Sequence, residues 1–327
     1  FQNLFPTGEI IYGRTNTKND KTRNLKKYYV DVLVLTDAGI WELFLSMANR
    51  SASMDRCTTA KENIREYFSH IINGVDLLYR GIEDPNIKIT VTISAFGILQ
   101  SERYFPHRES KVEVFQGQTV IDGDKYFSDL KYWDINTGSK IFSSYDQVIL
   151  FTRHVLYEAS LDKTDIDGLS LKSSVCETGR RVEIVRVADY FKTTTTAAHE
   201  LGHALGADHD GEGEATSCRS NDSFIMSADS IKFKPRMNYN GNPWLFSNCS
   251  VESFKRTLVN KSCVATTNLN YTLNLRNKQP GERYTLDEQC HIINGYGSLY
   301  CGRKLKKNLS LDALHGSRNQ RMRTEVL

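Results

Sequence analysis

The 327-residue sequence has little of what marks a fibrous, low-complexity or disulfide-built protein. Its 21 glycines and 6 prolines are too few for a collagen-like or low-complexity chain. Its seven cysteines are too sparse for a small scaffold held together by disulfides. Because 39% of the residues are hydrophobic and 10% are aromatic, bulk disorder is excluded, and a chain of this length can bury a sizeable core.

The sequence also lacks a long apolar run, so we expect no membrane span. The longest run, Val32 to Leu35, is far shorter than the ~18 residues that a span needs. The chain begins with Phe1 and no signal segment follows, so we expect a processed product. Six Asn-x-Ser/Thr sequons favour a secreted glycoprotein over a chance excess in a chain rich in Asn and Ser. They begin at Asn49, Asn221, Asn248, Asn260, Asn270 and Asn308.

The apolar residues recur with periods that predict an α/β fold. Alternating or short continuous apolar runs predict strands, and apolar residues three and four apart predict helices. The predicted strands span 29–35, 86–98, 148–151 and 182–187, and the predicted helices span 58–79 and 193–205. At about 150 residues per domain, the length is that of about two domains.

The segment 199–210, with the sequence HELGHALGADHD, carries the chemistry. His199 and His203 are four residues apart, so on a helix they share one face, where two neutral imidazoles can hold one Zn²⁺. Gly206 lets the chain leave the helix sharply, so that His209 can return as a third ligand. Three protein ligands leave the fourth position to water, which is typical of a catalytic rather than a structural zinc.

Glu200 directly follows the first of these histidines. A carboxylate at this position can take a proton from zinc-bound water and later hand it to a leaving amine. The metal lowers the pKa of its water to about 7 and polarises the scissile carbonyl. Together these groups predict zinc-dependent hydrolysis of peptide bonds without a covalent intermediate.

This segment resembles the zinc-binding motif of the metzincin peptidases, and its closing His209-Asp210 resembles the reprolysin (adamalysin) branch. That branch includes snake-venom metalloproteinases and the ADAM and ADAMTS enzymes. The resemblance covers residues 28–263, and the overall pattern is most similar to secreted reprolysins of arthropod saliva. It implies a mixed, mostly parallel twisted sheet with long helices, and a methionine turn beneath the zinc. Met226 follows the motif at a suitable distance for that turn.

The resemblance also implies disulfides. They join Cys176 to Cys263, Cys218 to Cys249 and, in the short module that follows, Cys290 to Cys301. Cys57 is then left over. It pairs with a missing segment or with another chain, or it is a buried free thiol.

Many reprolysins bind calcium near the ends of the catalytic domain. Asp31 and Asp146 match two carboxylate positions of that site, and Cys263 could supply its carbonyl oxygen. This chain has Thr266 where those enzymes often have an asparagine or aspartate. The resemblance therefore implies a calcium site that lacks one of its usual ligands, and the carboxylates could instead be ordinary charges at strand ends.

We expect the chain to have four segments. The first, 1–27, is an exposed segment (a propeptide remnant under the resemblance), and the second, 28–265, is a zinc peptidase domain. A linker with a partial Cys-rich or disintegrin-like module follows at 266–302, and the last segment, 303–327, is a basic disordered tail. The net charge is +4 on the first segment and +5 on the last, so the body between them carries −6 although the whole chain carries +3.

The leading interpretation is a monomeric, secreted endopeptidase that acts on extracellular proteins, which the resemblance implies are matrix, clotting or cell-surface proteins. One alternative is a catalytically silent binding or decoy protein on the same fold. A second is binding of nucleic acid or glycosaminoglycan through the basic ends, although a solvated tail explains those charges and we expect no nucleic-acid partner. We interpret Glu212 and Glu214 as solvated loop charges. The remaining histidines are interpreted as surface or satisfied core residues because none has ligand spacing.

Overall fold

The computed structural model describes residues 25–48, 55–115, 117–136, 142–158, 163–228, 242–267, 284–294 and 298–300. The described strands, in chain order, are β1 (Lys26–Thr36), β2 (Ile87–Ile98), β3 (Glu113–Phe115), β4 (Gln118–Asp122), β5 (Gln147–Thr152), β6 (Val155–Glu158), β7 (Lys163–Ile166), β8 (Gly168–Leu169) and β9 (Val182–Arg186). The described helices are α1 (Ala38–Met47), α2 (Arg56–Arg80), α3 (Gly123–Asn136), α4 (Tyr190–Ala204), α5 (Asn248–Leu258) and α6 (Leu286–Asn294).

The main sheet has five strands in the order β2-β1-β5-β9-β8. The first four are parallel, and β8 runs antiparallel to β9 at the edge. The predicted α/β class and the mixed, mostly parallel sheet are therefore confirmed. A second sheet has the order β3-β4-β6-β7, and its last strand continues through Asp167 directly into β8.

Both faces of the main sheet are covered, which explains the continuous apolar run in β1. Val30, Val32 and Val34 face one core together with α1, α2 and α4. Leu33 and Leu35 face a second core together with α3 and β4. A strand that is buried on both faces has no polar side to alternate with its apolar side.

Helix α2 is close to its predicted bounds, 56–80 against 58–79. Its N-cap, Asp55, accepts hydrogen bonds from the backbone N–H groups of Cys57 and Thr58. Its apolar face lies on the main sheet. The hydroxyl of its Tyr79 donates to the carbonyl of Ala198 at 2.9 Å, which joins α2 to the helix that carries the predicted metal ligands.

Two residues of the described part beyond 266 pack on this same core. Tyr284 is 5% exposed, and its ring lies 5.6 Å from that of Tyr67 in α2. Ile292 of α6 is buried in the same cluster. None of the helices in the described ranges has the length and apolar character that crossing a bilayer would require.

The cysteines partly follow the predicted pairing. The structure contains the disulfides Cys176–Cys263 and Cys218–Cys249. Cys301 lies outside the described residues, so its pairing with Cys290 stays a prediction. Cys57 is exposed near the start of α2, so the expectation of a buried thiol is wrong. The polar first turn of an amphipathic helix faces solvent, and Cys57 lies in that turn.

Candidate metal centre

Helix α4 places the first two candidate ligands on one face. Asp189 caps its N-terminus by accepting from the backbone N–H of Lys192. His199 and Glu200 are each 7% exposed, so both are held inside the protein by the packing of α4 against the sheet and α2. The predicted helix 193–205 is therefore confirmed, with its start three residues earlier than expected.

The chain leaves α4 at Gly206, as the sequence predicts. Its φ is +107°, a conformation that favours glycine. A Cβ at this position would also overlap the hydroxyl of Thr257 in α5. The sharp exit brings His209 back over the helix.

The three histidines meet at their Nε2 atoms. The distances between the Nε2 atoms of His199, His203 and His209 are all 3.2 Å. Each ring's other nitrogen, Nδ1, faces an acceptor: the carbonyl of Ile225 at 2.7 Å for His199, and the carbonyl of Ala207 at 2.9 Å for His203.

The acceptors fix the tautomers of the rings. A neutral imidazole carries one N–H, and a ring that donates from Nδ1 keeps a lone pair on Nε2. For His209 the acceptor is Oε2 of Glu212, 3.3 Å from Nδ1. Three lone pairs therefore point at one another across 3.2 Å, an arrangement that repels unless a cation lies among them.

The electrostatic surroundings keep His199 and His203 neutral. Burial, reinforced by the charge of neighbouring histidines, lowers the pKa of His199 to about 3. Burial and the charge of His209 likewise lower the pKa of His203 to about 4, against the opposing hydrogen bond to Ala207. Both rings are thus unprotonated at neutral pH, the state that binds metal.

The donor set fits zinc. Zinc bound to histidine has Zn–N bonds of about 2.0–2.1 Å in a tetrahedral arrangement, which separates the ligand nitrogens by about 3.3 Å. The observed spacing of 3.2 Å matches that geometry. Among the residues that the structure describes, this group contains three imidazoles and no fourth protein ligand, which corresponds to a site open to solvent or substrate.

Glu200 lies beside these ligands in a buried setting. Burial, with the charge of Asp167 adding to it, raises the pKa of its carboxyl to about 8. Gly168, in the edge strand β8, makes room for this side chain. A Cβ at Gly168 would lie 2.6 Å from both Cγ and Oε1 of Glu200. No sequence pattern predicts this contact, because 32 residues separate the two positions and the strand is only two residues long.

Met226 lies beneath the motif, fully buried. A Cβ at Gly202 of α4 would lie 2.5 Å from the Met226 sulfur, so the glycine allows this close approach. Asp210 joins the same turn: its backbone N–H donates to the carbonyl of Met226 at 2.9 Å, and its Oδ1 accepts from the Ser247 hydroxyl at 2.6 Å. Since Ser247 caps α5, these bonds tie the loop that carries His209, the turn that carries Met226 and α5 together.

The two aspartates predicted for calcium lie close together. The backbone N–H of Asp31 donates to Oδ2 of Asp146 at 2.9 Å. Burial raises the pKa of Asp146 to about 7, helped by the charge of Asp31 and opposed by that hydrogen bond. Oδ1 of Asp31 accepts from the hydroxyls of Thr92 and Thr267, at 2.8 and 3.0 Å. Calcium binding at this position stays a prediction.

A polar cavity of about 340 Å³ lies beside this pair and is lined by Asp146, Cys263 and Thr266 among others. The sulfurs of Cys176 and Cys263 also come near Asp146. Because these two cysteines form a disulfide, they offer no thiolate to a metal.

Glu212 and Glu214, in the loop after His209, are 64% and 60% exposed, which agrees with their interpretation as solvated loop charges, but each also contacts another side chain. Glu212 contacts the His209 ring, and Glu214 pairs with Nη2 of Arg256 at 2.7 Å. No pattern in the sequence marks these contacts, because they depend on the path of the loop after Gly206.

Comparison with known proteins gives this geometry a context. A family model of the reprolysin type, described as metallo-peptidase family M12, matches residues 26–241. The human protein "A disintegrin and metalloproteinase with thrombospondin motifs 20" is 24% identical over 300 residues, which are 90% of this chain and 14% of that protein.

Two insect proteins are also similar. "A disintegrin and metalloproteinase with thrombospondin motifs like" from Bombyx mori is 28% identical over 261 residues, covering 72% of this chain and 35% of that protein. "Venom metalloproteinase 3" from Eulophus pennicornis is 24% identical over 201 residues, covering 58% of this chain and 41% of that protein. The chain therefore spans less than half of each of these three relatives.

Proposed function

The chain belongs to the reprolysin type of metallo-peptidase family M12, and we propose that it is a secreted zinc endopeptidase that cleaves extracellular proteins. The observation that carries this proposal is the convergence of three Nε2 lone pairs, 3.2 Å apart, on one point beside a buried glutamate. His199, His203 and His209 would hold the zinc. When bound, zinc supplies a Lewis acid that polarises the scissile carbonyl and acidifies a water.

Glu200 is proposed as the general base and acid. Its carboxylate takes a proton from the attacking water and delivers it to the leaving amine, so the proton count balances over one cleavage. Burial raises its pKa to about 8, and a nearby dication favours the charged carboxylate. We therefore expect Glu200 to be ionised in the zinc-loaded protein at neutral pH.

The edge strand β8 is proposed to position the substrate. Within the described ranges β8 pairs only with β9, so its other edge can accept an extended peptide as an added strand. Gly168 in this strand lies against Glu200. A peptide that adds to β8 would therefore pass directly beside the proposed base.

Secretion is supported by two features of the described residues. The structure contains two disulfides, and disulfides persist in oxidising compartments such as the extracellular space. The sequon asparagines Asn221, Asn248 and Asn260 are all exposed, as glycosylation requires. Matrix, clotting or cell-surface proteins remain the proposed substrates. Residues 1–24 and the basic segment 303–327 lie outside the described residues.

Zinc removal and re-addition tests the proposal. The purified full chain should cleave an unfolded protein substrate, lose that activity after treatment with a zinc chelator and regain it with one equivalent of Zn²⁺. Stoichiometric zinc with no turnover on a broad peptide library would instead support a silent binding protein on the same fold. Turnover that persists in the metal-free chain would contradict the proposed mechanism.

A further inference from the structure

We infer that Glu212 is a positioning residue for the third zinc ligand, with its carboxylate orienting the His209 ring. The inference rests on the proposed zinc site and adds to it the side chain that holds the ligand outside α4. The contact joins Nδ1 of His209 to Oε2 of Glu212 at 3.3 Å.

The three ligands are held in different ways. His199 and His203 donate from Nδ1 to backbone carbonyls, those of Ile225 and Ala207. These acceptors are fixed by the fold and do not depend on the identity of a side chain. The Nδ1 of His209 instead faces a side chain, the carboxylate of Glu212.

The His209 ring is more exposed than the His199 ring. Its side chain is 32% exposed, whereas His199 is 7% exposed. A ring in partial contact with solvent can rotate about χ1 and χ2 unless a directional bond holds it. The bond to Glu212 supplies that constraint and also keeps the N–H on Nδ1, which leaves Nε2 free to bind metal.

The backbone of the loop delivers Glu212 to this position. The Glu212 N–H donates to the carbonyl of His209 at 3.0 Å, and the Ala215 N–H donates to the carbonyl of Glu212 at 2.7 Å. Gly211 and Gly213 have φ values of +92° and +48°, which allow the tight turn on both sides of Glu212. Only the side chain of Glu212 therefore has to be ordered when the contact forms.

The residue before the ligand is also anchored. Oδ2 of Asp208 accepts from Nζ of Lys172 at 2.7 Å and from the backbone N–H of Glu214 at 2.8 Å. Lys172 follows the edge strand β8, which is proposed to position the substrate. The ion pair therefore holds the loop against the segment that follows β8. With the backbone fixed on both sides of His209, the remaining freedom at this ligand is the rotation of its ring.

Glu214 offers a matched control. It lies in the same loop, carries the same charge and is similarly exposed, 60% against 64% for Glu212. Its side chain pairs with Arg256 rather than with a ligand. Loss of either carboxylate removes one negative charge near the metal, so a difference between the two variants reports the contact to His209.

The test measures Zn²⁺ affinity of the full-length chain by competition with a chromophoric chelator. Glu212→Ala should raise the zinc Kd about 10- to 100-fold, the usual cost of losing the partner of a ligand histidine. Glu212→Gln keeps an acceptor and should recover part of that loss. Glu214→Ala should change the Kd less than about 5-fold, as expected for an exposed charge. The visible spectrum of the Co²⁺-substituted chain should change in Glu212→Ala and stay unchanged in Glu214→Ala.

Equal Kd values for Glu212→Ala and Glu214→Ala, with identical Co²⁺ spectra, would overturn the inference while leaving the zinc site intact. A wild-type chain that binds no stoichiometric zinc would contradict the proposed site itself, and the inference with it. The unfolding midpoint of the metal-free variants, measured by far-ultraviolet circular dichroism, should match that of the wild-type chain. This control separates ligand positioning from a general loss of folding.

Discussion

Two groups of histidines in this protein use the same side chain in opposite ways. In the candidate metal centre, His199 and His203 donate to backbone carbonyls and point Nε2 at one another. On the other side of the main sheet, His107 and His154 both point Nε2 at the carboxylate of Glu102, at 2.9 and 3.3 Å. We call this second group the Glu102 cluster; its further member, Asp37, lies 3.5 Å from His154.

The pKa values of His154 and His199 are shifted in opposite directions for that reason. Burial by itself lowers the pKa of His154. Its hydrogen bond to Glu102 and the charges of Asp37, Glu102 and Glu42 raise the pKa by more than burial lowers it, so the net shift is upward. The pKa of Glu102 falls to about 2, because its bonds to the two histidines outweigh the effect of burial. In the metal centre, where no carboxylate opposes burial as strongly, the pKa of His199 falls to about 3.

Burial alone therefore does not identify a metal ligand in this protein. His154 is 2% exposed and His199 is 7% exposed, so both are core residues. In the candidate metal centre every acceptor faces Nδ1, which leaves the Nε2 lone pair free for a cation. In the Glu102 cluster the carboxylates face Nε2 itself, which occupies that nitrogen and favours an imidazolium. The ring nitrogen that the partner occupies, rather than the depth of the ring, separates the candidate ligands from the structural histidines.

We expect the largest effect from removing one histidine of each group and measuring zinc binding. His203→Ala removes a proposed ligand and should weaken zinc binding by more than about 100-fold, beyond the cost of losing a ligand's partner. His154→Ala should leave one equivalent of zinc bound. Metal content after dialysis against buffered Zn²⁺ measures both. Loss of zinc from His154→Ala would show that the Glu102 cluster also contributes to metal binding.

The next effect concerns the space beside Glu200. Gly168→Ala would place a methyl group 2.6 Å from the Glu200 side chain, which must then shift. We expect kcat/KM to fall about 10- to 100-fold while zinc stays bound, because small misplacements of a catalytic group are costly. Steady-state kinetics on a quenched peptide at equal metal content tests this, with Gly117→Ala as the control. A Cβ at Gly117 meets nothing within 4 Å, although its positive φ adds some backbone strain. Unchanged turnover in Gly168→Ala would show that Glu200 is not confined by β8.

A smaller effect concerns stability. Glu102→Gln leaves two histidines without their shared carboxylate. Because the Glu102 side chain is 38% exposed, we discount the cost of breaking a buried pair and expect about 1–2 kcal/mol of lost stability. Urea unfolding of the metal-free chain at pH 6 measures this, and the zinc affinity should not change. No loss of stability would show that the Glu102 cluster contributes no net free energy.

The smallest effect is the pH dependence of that loss. The raised pKa of His154 means that its contribution is complete below the unfolded value of 6.5 and is lost as pH rises through the folded pKa. The lowered pKa of Glu102 means that its contribution is complete above 4.5 and is lost as pH falls towards about 2. The stability difference between wild type and Glu102→Gln should therefore be largest between about pH 4.5 and 6.5 and shrink towards pH 8. A difference that grows towards pH 8 would contradict the assigned charges.

In the metal-free chain, the stability contribution of His199 and His203 should change with pH in the opposite direction. Since the folded pKa values of His199 and His203 lie near 3 and 4, the unfolded chain binds more protons below pH 6.5. These two residues therefore reduce stability as the pH falls from 6.5, over the range where the Glu102 cluster still contributes.

Much of the metal centre could be predicted from the sequence because its signals are local. His199, His203 and Gly206 lie within eight residues, and one helix with a sharp exit fixes their relation. The strands around 32 and 149 were predictable for a similar reason, since their apolar runs are uninterrupted.

The rest depended on contacts that no local pattern records. Helix α1 is buried on most sides, so it shows no polar face to reveal a helical period. Strand β8 has two residues, too few for any alternation, yet it supplies Gly168. The Glu102 cluster joins residues from three separate loops at the ends of β1, β2 and β5, and Glu212 reaches His209 only because the loop turns back on itself.

The proposed function requires a metal held by His199, His203 and His209 to work with Glu200 in peptide hydrolysis. A comparison of kcat/KM for the wild-type chain and Glu200→Gln, each loaded with one equivalent of zinc, tests this requirement. We expect equal zinc content and a fall of about 10²- to 10⁴-fold in kcat/KM for the variant, the usual contribution of a general base. Full activity in zinc-loaded Glu200→Gln would rule out this role of Glu200 and with it the proposed mechanism.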